Sequence, residues 1–101
     1  MEIIWSPKAR KRVREIFDYY KTRSYEVATK LIEDIDREVN LLKTFPQMAP
    51  IESSLSDLPI TYRALVTREH YKVIYYLTED AVNITTVWDC RQYSHNTKEN
   101  L

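Results

Sequence analysis

The sequence predicts an α+β domain of order β-α-α-β-β-β, an antiparallel helical hairpin packed on a small, mostly antiparallel sheet. Three observations carry that expectation. Apolar residues in the first half recur at helical spacing. Residues 46–59 then hold Pro46, Pro50 and Pro59 with Ser53, Ser54 and Ser56, which reads as a loop. Beyond it come three short runs rich in β-branched and aromatic residues with a period near two. Helices in one block and strands in another favour a layer of helices on one face of the sheet.

The elements follow in order. Residues 2–5, EIIW, are apolar and β-prone, and this strand would pair within the sheet because alone it would be unstable. Ser6-Pro7 starts a helix, with Ser as N-cap and Pro at the first helical position. Ala9, Val13, Ile16 and Tyr20 form its apolar stripe, and KTRS at 21–24 breaks the pattern. Ser24 caps a second helix with Glu26 in its first turn. Ala28, Leu31, Ile32, Ile35, Val39 and Leu42 mark its buried face, and Pro46 ends it. The hairpin therefore spans about 7–45 and the loop 46–59. The sheet spans 60–89, from ITYRALV, HYKVIYYL and VNITTVW, with TRE and TEDA as hairpin turns. Tyr62, Ala64 and Val66 are expected to face the core, as are Tyr71, Val73 and Tyr75. Val82, Ile84, Thr86 and Trp88 would share one side of the last strand. A polar tail, 92–101, follows.

Composition narrows the function. With 101 residues the chain is one domain, 1–101, near the commonest domain size. Its 15 basic and 15 acidic residues cancel, so nucleic-acid binding would need a local patch. There is no glycine, which excludes the phosphate-cradling P-loop and the dinucleotide fingerprint, and hairpin turns must use Asn, Asp or Glu instead. A single cysteine excludes an internal disulfide and a cysteine-rich zinc cluster. Two distant histidines with no metal-binding pattern predict no metal and no cofactor. No apolar run approaches the roughly 20 residues a membrane span needs, so no membrane association is expected. With no signal-peptide pattern at its start, the chain reads as cytoplasmic.

Several groups could carry chemistry. Lys8, Arg10, Lys11, Arg12 and Arg14 put five cations in seven residues, to grip phosphates or an acidic partner, or as a solvated helix face. Arg63, Lys72 and Arg91 come one from each of the last three strands; on one shared face they would stabilise a phosphate gaining charge. The alternative is ordinary cross-strand charge pairing. His95 is a candidate acid or base, with Tyr93 beside it, in a tail that reads equally as a fraying terminus. His70 reads as a turn residue, Cys90 as a small filler or a thiol activated by its neighbours, and Asp89 as a partner for a nearby Arg. Tyr76 could stack on a base or simply pack.

The order of several motifs resembles the RelE/ParE toxins of bacterial type II toxin–antitoxin systems. They are SPKA at the first helix start, DYY before the helix turn, LKTFPQMAP after the second helix, then YRALV, YKVIYYL and VWDCRQ. The resemblance runs from about residue 3 to residue 92. It implies a growth-inhibiting toxin of the plasmid-stabilisation type, neutralised by a cognate antitoxin that folds as it wraps the toxin, in a dimer or a toxin–antitoxin hetero-oligomer. ParE-like members inhibit DNA gyrase, and the SPKA, DYY and FP-containing segments look closer to them. RelE-like members are metal-independent mRNA endonucleases (mRNA interferases) of the ribosomal A site, in which the 2′-hydroxyl attacks the adjacent phosphate. The positions comparable to their catalytic set are Arg63, Lys72 and Arg91, with Tyr93 or His95 from the tail. Gln92 and Ser94 interrupt the Arg-Tyr-His order of such nucleases. A family member kept only as an interaction module is the third alternative.

Overall fold

A computed structural model of the chain describes residues 1–92 and 97–101. The elements are β1 (Glu2–Trp5), α1 (Pro7–Lys21), α2 (Tyr25–Asn40), β2 (Arg63–Thr67), β3 (Tyr71–Leu77) and β4 (Ala81–Asp89), with short 3-10 turns at Leu41–Lys43, Ser53–Leu55 and Lys98–Asn100. The expected β-α-α-β-β-β order is the order found, and the four strands form one sheet, β1-β4-β3-β2, in which only the β1–β4 pair is parallel.

Both helices begin where the sequence places them. The Ser6 hydroxyl accepts the Ala9 N–H at 2.9 Å and the Ser24 hydroxyl accepts the Val27 N–H at 3.2 Å. Each such cap contributes about 1 kcal/mol. Ser6 also fixes α1 to the sheet, its hydroxyl donating to the Thr85 carbonyl at 2.6 Å and its N–H to the Ile84 carbonyl at 2.9 Å. The second helix stops at Asn40 and tightens into the 3-10 turn before Pro46.

The sheet departs from expectation in three ways. First, it is covered on both faces. Ala9, Ile16, Leu31, Ile35 and Val39 of the hairpin pack on Tyr71, Val73, Tyr75, Val82, Ile84 and Val87. On the opposite face Ala64, Ile74 and Trp88 are buried under Leu55, with Leu58, Tyr62 and Leu101 packed around them. Second, a bulge changes the side-chain parity of β4. Ile74 pairs with Thr86 but Tyr75 pairs with Ile84, so Thr85 is the extra residue. Val82 and Ile84 therefore face the helices, while Thr86 and Trp88 face the other way. Third, β2 starts at Arg63 rather than Ile60, and Val66, expected in the core, is half exposed on this edge strand.

The β2–β3 turn uses Arg68 (φ 52°) and Glu69 (φ 65°) in the left-handed region. A glycine-free chain must strain ordinary residues here, at about 1–2 kcal/mol each. Arg68 is held by Asp34 of α2, its Nη1 lying 2.7 Å from Oδ2. The Lys30 and Arg37 side chains meet the other Asp34 oxygen at 2.9 Å each. Hydrogen bonds from Lys30 first, with Arg37 and Arg68, outweigh burial and lower the Asp34 pKa to about 2.

Candidate functional site

The three strand cations do not converge. Arg63 pairs in register with Tyr75 and so lies on the helix face, whereas Lys72 pairs with Val66 and Trp88 on the loop-covered face. The expected shared face is thus divided, because 63 and 72 fall on opposite sides of one antiparallel pair. Each has taken structural partners. Arg63 Nη1 donates to the Ala49 carbonyl at 2.7 Å and to the Gln47 carbonyl at 3.4 Å, tying β2 to the proline loop. Lys72 Nζ meets Glu52 Oε1 at 2.8 Å. Burial would raise the Glu52 carboxyl, but Lys72 and the Ser54 hydroxyl outweigh it and hold the pKa below its ordinary value.

Arg91 lies on the helix face like Arg63, but at the other end of the sheet. Tyr71, beside Arg91, lies four residue steps along β3 from Tyr75, beside Arg63, a span of about 13 Å. Arg91 is oriented by Asp89. One carboxylate oxygen accepts its backbone N–H at 2.9 Å and its Nε–H at 3.0 Å, and the other accepts Nη2 at 3.0 Å. This side-on grip raises the guanidinium pKa, and Arg91 outweighs burial to lower that of Asp89. Nη2 also reaches the hydroxyls of Tyr20 and Tyr71, each at 3.4 Å, and the guanidinium lies 5.9 Å from the Tyr71 ring centroid.

The two tyrosines are driven apart in acidity. Tyr71 donates its hydroxyl proton to Tyr20 at 3.4 Å. Burial, then that bond, raises the Tyr71 pKa. Tyr20, accepting from Tyr71 and from Arg91, has its pKa lowered. These groups line an open cleft of about 360 Å³ with Arg12, Glu15 and Tyr19 of α1. It is the best-developed polar constellation at the end of β4, where the sequence places a site.

The family whose profile matches residues 3–93 is the ParE toxin of the type II toxin-antitoxin system, parDE. The chain belongs to the ParE toxin family. A solved structure titled "Chromosomal ParDE TA system from P. aeruginosa" is similar in fold, with a TM-score of 0.72 and 23% sequence identity over 88% of this chain and 95% of that one. No curated protein matches the sequence.

Of the five expected site residues, Arg91 lines this polar cleft of the ParE-family chain, and Arg63 lines a separate one with Ile60, Thr61, Tyr76 and Thr78. Tyr93 and His95 lie outside the described residues. His70 sits in the turn as expected, its carbonyl accepting the Cys90 N–H. Tyr76 packs edge-on against Tyr62 at 5.8 Å. Among the described residues no cluster of His, Cys, Asp or Glu could hold a metal, and no helix is long and apolar enough to cross a membrane. The basic run of α1 is divided around the helix. Lys8, Lys11 and Arg12 line one cleft, while Arg10 lines another with Trp5 and Val13.

Two members of these clusters escape the sequence reading. Tyr20 reads as the last residue of an apolar stripe, yet its hydroxyl meets Arg91 and Tyr71. Its place one residue before the helix's end is the available signal. Glu52 sits in a loop of prolines and serines and carries no periodic signal at all.

Proposed function

We propose that this ParE-family toxin acts in the cytoplasm by binding and inhibiting DNA gyrase, and that a cognate antitoxin neutralises it. The observation that supports a binding mode is the dispersal of Arg63, Lys72 and Arg91. Phosphoryl-transfer catalysis without metal needs several cations aimed at one phosphate. Here two of the three are bound to the protein's own loop, on opposite faces. The exposed Leu41, Phe45 and Met48 at the end of the hairpin offer apolar surface to a partner, whether antitoxin, target or second copy. Purified protein should block gyrase supercoiling while leaving mRNA intact in a purified translation system. Untouched supercoiling at large excess would reject the proposal.

The Arg91 cleft favours a second reading, ribosome-dependent mRNA cleavage. Arg91 would neutralise the phosphate as the 2′-oxygen attacks phosphorus and the P–O5′ bond breaks, the 2′-hydroxyl proton ending on the leaving 5′-oxygen. The tail residues Tyr93 and His95 would belong to this reading. It requires truncated mRNA ends in the same translation reaction, lost in Arg91→Ala. Normal growth on expression without antitoxin, at good protein yield, would instead favour an interaction module.

A further inference from the structure

The basic run of α1 has a part that the proposed function leaves unused. Residues 8, 11 and 12 share one side of the helix by the i, i+3, i+4 rule. Their side chains line an open cleft of about 460 Å³ between α1, β4 and the C-terminal segment, with Glu15, Trp88 and Asn100. Three cations thus face one carboxylate. Arg12 is committed in part, through Nε to the Val87 carbonyl at 3.2 Å and through Nη1 to Glu15 at 3.6 Å. Lys8 Nζ donates to the Leu101 oxygen at 2.6 Å, which shows that an oxygen acceptor can sit at this rim. Lys11 has no partner among the described residues.

The wall supplies a reporter. Trp88 is 4% exposed, and its indole N–H is buried with no hydrogen-bond acceptor. Such a donor is costly to leave unsatisfied. The three cations face the open cleft while the buried indole N–H does not, so the cations make the contacts to a ligand with several anionic oxygens, and Trp88, as part of the wall, reports its arrival.

We propose that this cleft binds a phosphate-class oxyanion, either free or as a phosphate monoester, held by Lys8, Lys11 and Arg12 against the Trp88 wall. The site adjoins the Arg91 cleft, with which it shares Arg12 and Glu15, and does not depend on the toxin's target. The test uses the two indole N–H signals of the full-length protein in a nitrogen-15 correlation spectrum. Trp5 lines the other cleft, with Arg10, and serves as the internal control. Inorganic phosphate titrated at constant ionic strength should shift the Trp88 signal saturably and leave Trp5 in place. Lys11→Glu should weaken the fitted Kd about tenfold or more. Arg10→Glu, the same charge change on the same helix, should leave it unchanged. A nucleoside monophosphate titrated in parallel separates the sources: tighter binding than inorganic phosphate assigns the site to a monoester, equal binding to the bare anion. A Trp88 signal that does not move, shifts of Trp5 and Trp88 together, or equal losses in Lys11→Glu and Arg10→Glu would overturn the proposal.

Discussion

The two faces of the sheet are covered by different means. On one, two capped helices lay regular apolar stripes over Tyr71, Val73, Tyr75, Val82, Ile84 and Val87. On the other, an irregular loop and the C-terminal segment cover Ala64, Ile74 and Trp88. Regular elements satisfy their own backbone groups, so the helix face needs few polar fasteners beneath it. A loop has no such ladder and must be fastened by side chains. That difference accounts for where the cations go. Lys72 is drawn to Glu52 in the middle of the loop, and Arg63, from the helix face, reaches round to the Gln47 and Ala49 carbonyls near its start. Arg91, at the rim of the helix face, is instead held by its near neighbour Asp89 and lines an open cleft with Tyr20 and Tyr71.

The largest effect should come from the cores. Ile35→Ala, between two regular layers, should cost about 4 kcal/mol, because the surrounding layers cannot collapse into the cavity. Leu55→Ala, under the loop, should cost about 2–3 kcal/mol, since the loop can settle. Chemical denaturation measures both; equal losses would break the comparison. Lys72→Ala comes next, at about 1–3 kcal/mol, because it strands the largely buried Glu52 carboxylate. Glu52→Gln in the same background should recover part of the loss, and a null result in this double-mutant cycle would mean that the pair does not fasten the loop.

Acid should distinguish the anchors further. The Asp34 pKa is depressed from 3.8 to about 2 in the folded state, so its contribution is complete above 3.8 and is lost as pH falls towards 2. Asp34→Asn should remove that part of the acid sensitivity, seen by comparing unfolding at pH about 6 with pH about 3. An unchanged acid slope would dismiss Asp34 as the clamp between α2 and the β2–β3 turn. The smallest effect is a gain. Glu69→Gly relieves a left-handed φ of 65° and should add about 1 kcal/mol. A lower Tm would mean that the Glu69 side chain holds the turn.

Most of the fold was legible because its signals are local. Ser6-Pro7, Ser24 and the apolar stripes fix the hairpin without reference to anything distant. The second buried face was not legible: Ile74 shares its parity with Lys72 and Tyr76, a pattern that reads as a wet face until the loop is seen to cover it. The bulge was not legible, since Thr85 resembles its neighbours and its role depends on offering a carbonyl to Ser6. The candidate site was legible only by its location. Asp89 stands two residues from Arg91 and is its expected partner, but Tyr71 meets Arg91 across a strand pair and Tyr20 across the sheet–helix interface, and no sequence spacing encodes those meetings. Arg63 and Lys72 each alternate with apolar residues, so their strands look alike in the sequence, and only the pairing register puts them on opposite faces.

The most direct measurement compares wild type with Lys72→Met in a gyrase supercoiling assay, at a temperature where both are folded, with mRNA cleavage on translating ribosomes followed in parallel. If Lys72 is a fastener and the toxin acts by binding, both proteins inhibit supercoiling equally per folded molecule and neither cuts mRNA. Cleavage of mRNA by the wild type that disappears in Lys72→Met would contradict the account.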